Sequence, residues 1–267
     1  MQVVLRSVGI VAPGLADWPS ALPVLRGAEP YAEAPVAAPP PLGLAPNERR
    51  RASLATRLAL AAARQATDGQ EPRPDRLLSV FASADGDMTL IERMCNAIYR
   101  EGTAPSPTVF QNSVHNAVGG YWAIATGCRQ PSTSIAAGDG TFAAGLVEAA
   151  VQVTACRRPL LLMACDVPAP PILHPHRTFC CPFACALLLA PGGPGGAGTL
   201  LSLSLGGQDD AAPVTALADP MLETMRTGNP AARALPLLAA VAVGKASTLI
   251  LPYWPDLRLR VQVEPAP

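Results

Sequence analysis

The pattern of apolar and polar positions alternates between short apolar runs and longer segments with helical spacing. Residues 2–12 and 159–165 are apolar runs of strand length, and 141–155 has the length and small-residue content of a buried helix. The other predicted elements are strands at 77–83, 132–137, 183–190, 199–205 and 257–263, and helices at 47–67, 88–100, 112–126 and 230–243. Apolar strands alternating with helices predict an α/β fold, with a mostly parallel sheet and helices on both faces.

Three local signals refine this prediction. Asn47 is expected to be the N-cap of the 47–67 helix. The stretch Pro191 to Gly198 is rich in glycine and proline, so the strands that flank it are expected to form a hairpin. Pro35 to Pro46 holds too many prolines for a helix or an interior strand and predicts an extended surface loop. We expect a single domain over 1–267, with its core in about 1–190 and an extension of uncertain role over 199–267.

Composition and charge exclude several classes of partner. The 267 residues include 20 basic and 20 acidic side chains, so no overall field favours nucleic acid. No window is apolar enough for a membrane helix, and Arg6 interrupts the apolar N-terminus, which lacks the order of a signal peptide. Most of the seven cysteines fall in apolar runs, which favours buried thiols in a reducing, cytoplasmic setting.

One local basic patch stands out against this neutral background. Arg49, Arg50 and Arg51, with Arg57 one to two helical turns later, offer positive charge to an acidic partner such as an acyl carrier protein. The alternative is a solvated helix face, which short charge runs more often form. The carrier-protein contact therefore stays a weaker prediction.

The most specific pattern lies between residues 107 and 153. A small-residue helix over 116–127 leads into the turn GCRQPS at 127–132, the strand STSIAA at 132–137, the turn GDG at 138–140 and a second small-residue helix. This order resembles the nucleophile region of the β-ketoacyl synthases, in which a catalytic cysteine follows the strand. The opening strand, VVLRSVGIVAPG, and residues 179–191 resemble other parts of that family. The resemblance covers about residues 1–190 and implies a thiolase-like half fold.

The resemblance also implies what is missing. The family's cysteine position falls on Asp139, and a carboxylate is a poor nucleophile toward a thioester. Condensation further needs two histidines from the family's C-terminal half, whereas this chain contains three histidines, none in those motifs. We therefore expect no catalytic residue, no cofactor and no independent activity. Asp139 is instead expected to cap the 141–155 helix.

Within the family, the chain is most similar to the short chain-length-factor subunits of aryl polyene biosynthesis. The resemblance implies a cytoplasmic heterodimer with an active ketosynthase, in polyketide, aryl polyene or fatty-acid-like synthesis. Two segments would form its dimer surface, and the residues expected there are Phe110, Val114, Val118, Tyr121, Trp122, Ser134 and Ile135. An acyl carrier protein would be a further, indirect partner.

Other functions remain open at this stage. The chain could be a small acyl-thioester transferase or hydrolase that uses Cys165 or Cys181, or a homodimeric scaffold that binds a carrier protein. A metal cluster of His174, His176, Cys180, Cys181 and Cys185 is disfavoured, because the spacing fits no common zinc pattern and adjacent cysteines in a strand point apart.

Overall fold

Eight β-strands form one sheet in the part of the chain that the structure describes. That structure, a computed structural model, describes residues 1–37, 40–41, 43–192, 198–206 and 212–265. The strands are β1 (Gln2–Val11), β2 (Leu78–Ala82), β3 (Ser132–Ile135), β4 (Leu160–Asp166), β5 (Phe183–Pro191), β6 (Thr199–Gly206), β7 (Ser247–Trp254) and β8 (Leu257–Glu264). Their order across the sheet is β3-β2-β4-β5-β1-β6-β8-β7.

Nine α-helices accompany this sheet within the described ranges. They are α1 (Trp18–Leu25), α2 (Pro46–Arg51), α3 (Leu54–Thr67), α4 (Met88–Tyr99), α5 (Pro107–Asn112), α6 (Ala117–Thr126), α7 (Thr141–Cys156), α8 (Pro220–Gly228) and α9 (Leu235–Val243). The described residues contain no helix long and apolar enough to cross a membrane.

The sheet is mixed, which corrects the expectation of mostly parallel pairing. Strand β2 pairs in parallel with β3 and β4, and the remaining neighbours run antiparallel. Parallel pairing needs a crossover helix, which α7 supplies between β3 and β4. Between β4 and β5 the chain forms only a single 3-10 turn, so β5 returns antiparallel.

Strands β5 and β6 do not form the predicted hairpin. The first strand lies between them: Val4 of β1 is paired with Ala190 on one side and with Leu200 on the other. The apolar residues of β1 are thereby covered on both edges as well as both faces. Sequence proximity of β5 and β6 suggested direct pairing, but β1 lies between them and its apolar side chains are buried in the centre of the sheet.

Helices cover both faces of the sheet, as the apolar strands predicted. Along β4, Leu160 and Leu162 point to the layer that holds α1, α7 and α9, whereas Leu161 and Met163 point to α3 and α6. This alternation is the two-residue period of a strand buried on both faces. Helix α3 packs so closely on β1 that a Cβ on Gly9 would meet the Ala62 carbonyl oxygen at 1.9 Å.

Two predicted helices are each divided. The 47–67 segment forms α2 and α3, separated at Ala52 and Ser53, and Asn47 caps neither helix. The Ser53 hydroxyl accepts a hydrogen bond from the Thr56 N–H and starts α3, because a serine hydroxyl satisfies a free N–H of the first turn. The 112–126 segment likewise becomes the end of α5 followed by α6, which begins at Ala117.

Candidate functional site

The turn between β3 and α7 holds Asp139, the residue that the sequence resemblance aligns with the family's nucleophile. A 3-10 turn over Gly138–Gly140 follows β3, and Gly138 adopts a left-handed φ of 53° that favours glycine. The Thr141 hydroxyl accepts the Ala137 N–H at 2.9 Å and donates to the Gly138 carbonyl at 2.6 Å. The turn is therefore fixed from within, and it presents Asp139 at the start of α7.

Asp139 is an ion-paired surface residue, and the prediction that it caps α7 is wrong. The helix begins at Thr141, and its N-cap position is Gly140, with no side-chain cap. Instead, Oδ1 of Asp139 accepts a hydrogen bond from Arg177 Nη1 at 2.9 Å, and Oδ2 contacts Arg233 Nη2 at 3.4 Å. Both carboxylate oxygens are thus taken by guanidinium groups rather than by N–H groups of the helix.

Arg177 joins this carboxylate to a second one. Its Nε donates to Asp85 Oδ2 at 2.7 Å, and its guanidinium lies 4.8 Å from the centre of the Phe179 ring. Burial by itself would lower the pKa of Arg177, but the bonds to Asp85 and Asp139 raise it. The result is a small network in which Arg177, from the loop between β4 and β5, bridges Asp85, which follows β2, and Asp139, which follows β3.

A groove of about 430 Å³ opens beside Asp139. Arg233 lines it together with Tyr253, Trp254 and Arg258, and the Trp254 side chain is 58% exposed. Desolvation lowers the pKa of Arg233, although Asp139 partly opposes that effect. The last turn residue before α7, Gly140, touches the same strand: a Cβ there would lie 1.9 Å from the Tyr253 carbonyl oxygen.

A buried carboxyl group lies at the end of β4. Oδ1 of Asp166 accepts hydrogen bonds from the Ser83 hydroxyl at 2.9 Å and the Ala84 N–H at 2.8 Å. Oδ2 has no hydrogen-bond partner in the part of the chain that is described. Desolvation raises the pKa of Asp166 to about 7, despite the opposing bonds from Ser83 and Ala84. This group holds a proton through mildly acidic pH.

The residues predicted for the dimer surface do not all face outward. Phe110 and Val114 are 62% and 48% exposed, but Val118, Tyr121 and Trp122 are buried against α3. The helix α6 is apolar on most sides, so its sequence does not show which face packs inward. Of its apolar residues, only Ile124 is among the exposed large side chains.

Ser134 and Ile135 are half-buried because helices cover both faces of β3. Gly119 of α6 leaves room for the serines: a Cβ there would lie 3.0 Å from Ser132 Oγ and 3.9 Å from Ser134 Oγ. On the other face, Ile135 lies beside Gly145 of α7. What β3 presents outward is therefore its backbone edge.

The arginine patch lies on α2 and the start of α3. Arg49, Arg50 and Arg51 are all exposed, and Arg51 is paired with Glu48 at 3.3 Å. A shallow groove between this patch and the proline-rich loop is lined by Arg49, Arg50 and Arg57, among others. The patch is exposed, and its contact with a carrier protein stays a prediction.

The structure argues against the two proposed nucleophilic cysteines. Cys165 is fully buried, and desolvation raises its pKa well above the usual value. Cys181 also has a raised pKa, because it is hydrogen-bonded to Cys180 and partly desolvated. Within the described ranges no three His, Cys, Asp or Glu residues are placed to hold a metal ion, and His174 instead contacts the Ala169 carbonyl at 2.9 Å.

Sequence reasoning missed the partners of Asp139. Arg177 and Arg233 follow Asp139 in sequence and are 56 residues apart, whereas Asp85 precedes Asp139. Their pairing depends on the order of strands in the sheet, for which the sequence carries no local signal. The one available hint was the presence of isolated charges in otherwise apolar stretches.

Comparisons with known proteins agree with this fold. The family profile described as beta-ketoacyl synthase, N-terminal domain, matches residues 26–247. A similar solved structure is the ketosynthase ApeO in complex with its chain length factor ApeC from Xenorhabdus doucetiae, with a TM-score of 0.74, 21% identity and coverage of 98% of this chain and 99% of that chain. No curated protein sequence matches significantly.

Two further complexes have the same fold. The ishigamide ketosynthase/chain length factor has a TM-score of 0.73 and 14% identity, with full coverage of both chains. The type II polyketide synthase complex AntDE:AntF, an acyl-carrier protein with its ketosynthase bound to the hexaketide, has a TM-score of 0.74, 12% identity and 99% coverage of each chain. The predicted family resemblance and the thiolase-like α/β fold are thus confirmed, while identities this low say nothing about role.

Proposed function

Because the chain belongs to the β-ketoacyl synthase N-terminal domain family, we propose that it is a non-condensing partner subunit, a chain length factor, that pairs with an active ketosynthase. The observation that carries this proposal is the ion pairing of Asp139, which the sequence resemblance aligns with the family's cysteine, with Arg177 and Arg233. The solved complexes of a ketosynthase with a chain length factor support it, since this chain matches such structures over nearly its whole length. Polyketide or aryl polyene synthesis is the proposed setting, in the cytosol.

The chemistry at Asp139 fits a subunit that does not condense. A carboxylate paired with two arginines is a weak nucleophile, and the anhydride it would form with an acyl group would hydrolyse. Its negative charge also opposes a developing enolate. His115, the histidine nearest in sequence, contacts the Ser83 carbonyl at 2.8 Å through Nε2. Asp139 therefore serves to hold the turn and its arginines in place.

The pairing surface is the outer edge of β3. The carbonyls of Pro131 and Ile135 accept hydrogen bonds from Ser79 and Ser83 of the β2 side, each at 3.2 Å. Alternate residues of a parallel strand face the neighbour, so the N–H and C=O groups of the intervening Ser132 and Ser134 point outward. Within the described residues β3 pairs with β2 alone. A strand of the ketosynthase would complete this edge.

The exposed apolar residues on α5, on α6 and between these helices would extend that contact. Phe110 and Val114 lie on the segment that, by family resemblance, reaches the partner's acyl pocket, and both are about half exposed or more. Ile124 adds a third exposed apolar side chain on α6. In a tight interface of roughly 2,000 Å² these side chains would be covered, and Phe110 would help to limit the length of the acyl chain. The arginines of α2 remain free to guide an acidic carrier protein.

Co-purification and a condensation assay test this function together. The tagged chain, co-expressed with the ketosynthase of its own pathway, should elute as a 1:1 complex, and adding it should increase condensation by that enzyme. Alone, with acyl and malonyl carrier proteins, it should form no carbon–carbon bond. Asp139→Cys should not create this activity, because it restores the thiol without the two histidines.

Matched outcomes separate the alternatives. Asp139→Ala is the control for Asp139→Cys, because acylation of the new thiol by itself would not indicate condensation. Carbon–carbon bond formation by isolated Asp139→Cys protein would overturn the non-condensing assignment. Elution as a homodimer that does not bind the ketosynthase but does bind a carrier protein would instead favour the scaffold alternative.

A further inference from the structure

Two adjacent cysteines lie at the surface, in the bend that precedes β5. The Sγ atoms of Cys180 and Cys181 are 3.5 Å apart, and Cys180 is exposed while Cys181 is half-buried. Side chains of adjacent residues in a strand would point to opposite sides. The bend places these two thiols side by side instead, which corrects the expectation drawn from sequence spacing alone.

The segment that follows α8 holds this pair in position. The Cys180 N–H donates to the Gly228 carbonyl at 2.9 Å, and the Cys181 carbonyl accepts from Asn229 Nδ2 at 2.8 Å. A Cβ on Gly228 would lie 2.7 Å from Cys180 Sγ, so only glycine leaves room for the thiol. Asn229 is itself fully buried and accepts the N–H groups of Ala231 and Ala232. The two sulfurs are therefore held close together by a rigid backbone on both sides.

We propose that Cys180 and Cys181 form a thiol–disulfide modification site, in which a mild two-electron oxidant such as hydrogen peroxide joins them in a reversible vicinal disulfide. Cys180, the exposed thiol, reacts first and Cys181 resolves it. This site is independent of the proposed pairing with a ketosynthase. Adjacent Cα atoms are about 3.8 Å apart, less than the roughly 4.4–6.8 Å of ordinary disulfides, so the bond is strained and easily reduced. Strained, exposed disulfides are the labile ones that serve as switches.

The reaction balances with peroxide as the only co-reactant. The Cys180 thiolate attacks one peroxide oxygen, the O–O bond breaks, and hydroxide leaves with the proton of the thiol as water. The resulting sulfenic acid is attacked by the Cys181 sulfur, which forms the S–S bond and releases a second water. In total two thiols lose two electrons and two protons. The hydrogen bond from Cys181 lowers the pKa of Cys180 to about 7, partly against burial, so the attacking thiolate is available near neutral pH.

Oxidation of the purified full-length chain tests this site directly. One equivalent of hydrogen peroxide should lower the count of free thiols from the seven in the sequence by two, and dithiothreitol should restore them. Peptide mapping should place both lost thiols in one fragment that contains Cys180 and Cys181. Phenylarsine oxide, which binds paired thiols, should protect the same two cysteines from iodoacetamide.

Single substitutions assign the roles. Cys180→Ser should slow thiol loss at least about tenfold, whereas Cys181→Ser should leave a sulfenic acid at Cys180 that dimedone traps. Cys95→Ser is the matched control, because Cys95 is also exposed but lies on α4; it should oxidise like the wild type. The proposal would be overturned by a disulfide between Cys180 and a cysteine other than Cys181. It would also be overturned if Cys180 and Cys181 stayed reduced while Cys95 was oxidised.

Discussion

The two edges of the sheet differ in how their backbone groups are satisfied. At the β7 edge, Ile250 donates its N–H to the Thr215 hydroxyl at 2.8 Å and accepts the Thr215 N–H at 2.9 Å. Two residues later, Pro252 has no N–H to offer, and the pairing with β8 is irregular between Pro252 and Trp254. At the β3 edge, the outward groups of Ser132 and Ser134 have no such cover among the described residues.

The difference indicates which edge is built for a partner. An exposed strand edge invites pairing with another chain, and proteins block it with proline, bulges or covering segments. The β7 edge carries all three of these features. Within the described ranges, the β3 edge carries none of them. One closed and one open edge allow a single partner to add to the sheet from one direction.

The largest expected effect comes from closing the open edge. Ser134→Pro removes an N–H that points away from β2, so the fold should tolerate it as edge strands tolerate proline. Binding to the ketosynthase should weaken about 100-fold, because a backbone hydrogen bond is lost and the ring occupies the docking edge. Isothermal titration or surface plasmon resonance measures the change.

Two matched variants sharpen that result. Ser134→Ala keeps the N–H and should bind like the wild type. Thr248→Pro places a proline at the corresponding outward position of β7, where Thr248 is exposed, and should leave binding unchanged. Equal affinity for Ser134→Pro and Thr248→Pro would mean that β3 is not the docking edge.

A pH titration separates pairing at the edge from stability at the centre of the sheet. Asp166 has its pKa raised from 3.8 to about 7 in the folded chain, so between these values the folded state retains a proton that the unfolded state has released. Stability contributed by the protonated form is therefore full below about pH 4 and is lost as pH rises toward 7. We expect the free energy of unfolding to fall by about 2 kcal/mol between pH 5 and pH 8.

The test compares urea unfolding of the wild type and Asp166→Asn at several pH values. The amide does not titrate, so the free energy of unfolding of the variant should fall much less between pH 5 and pH 8 than that of the wild type. Affinity for the ketosynthase, if it depends on backbone pairing at β3, should stay nearly constant over the same range. A wild-type protein whose stability does not fall between pH 5 and pH 8 would contradict the raised pKa of Asp166.

The sequence predicted most strands but not their neighbours. Long apolar runs such as β1 and β4 are visible because burial on both faces removes polar residues from them. By contrast, β7 was missed although its partner β8 was expected, since Pro252 and Trp254 interrupt its pattern. Insertion of β1 between β5 and β6 is a property of tertiary packing, and no local signal encodes it.

The candidate site was predicted in position but not in contacts. The family pattern located Asp139 correctly at a turn before a helix, because the order of strand, turn and helix is encoded locally. Its ion pairs with Arg177 and Arg233 join segments that lie far apart in sequence, so helix capping was the nearer explanation and was wrong. Similarly, the inward face of α6 depends on where α3 lies. Tyr121 and Trp122 were therefore expected at the dimer surface but are buried against α3.

A smaller effect is expected from the exposed apolar side chain of Phe110 on α5. Phe110→Arg places a charge where the partner should cover an apolar side chain, and binding to the ketosynthase should weaken about tenfold. Val243→Arg is the control, because Val243 is 47% exposed at the end of α9, which packs against β7 and β8. Should both variants bind equally well, the contact would be limited to the strand edge itself. In the active complex, Phe110→Arg should also shift the length of the product.

The smallest expected effect concerns the turn that joins the open edge to α7. Asp139→Ala removes two ion pairs, but the Asp139 side chain is 59% exposed and Arg177 keeps its bond to Asp85. The free energy of unfolding should fall by only about 0.5–1 kcal/mol, as for surface ion pairs. Asp75→Ala is a fitting control, because Asp75 also contacts two arginines, Arg73 and Arg76, and these are 77% and 74% exposed. Since the backbone of β3 is unchanged, affinity of Asp139→Ala for the ketosynthase should stay within about twofold of wild type. A large loss of affinity would show that the arginines around Asp139, rather than the strand edge, carry the contact with the partner.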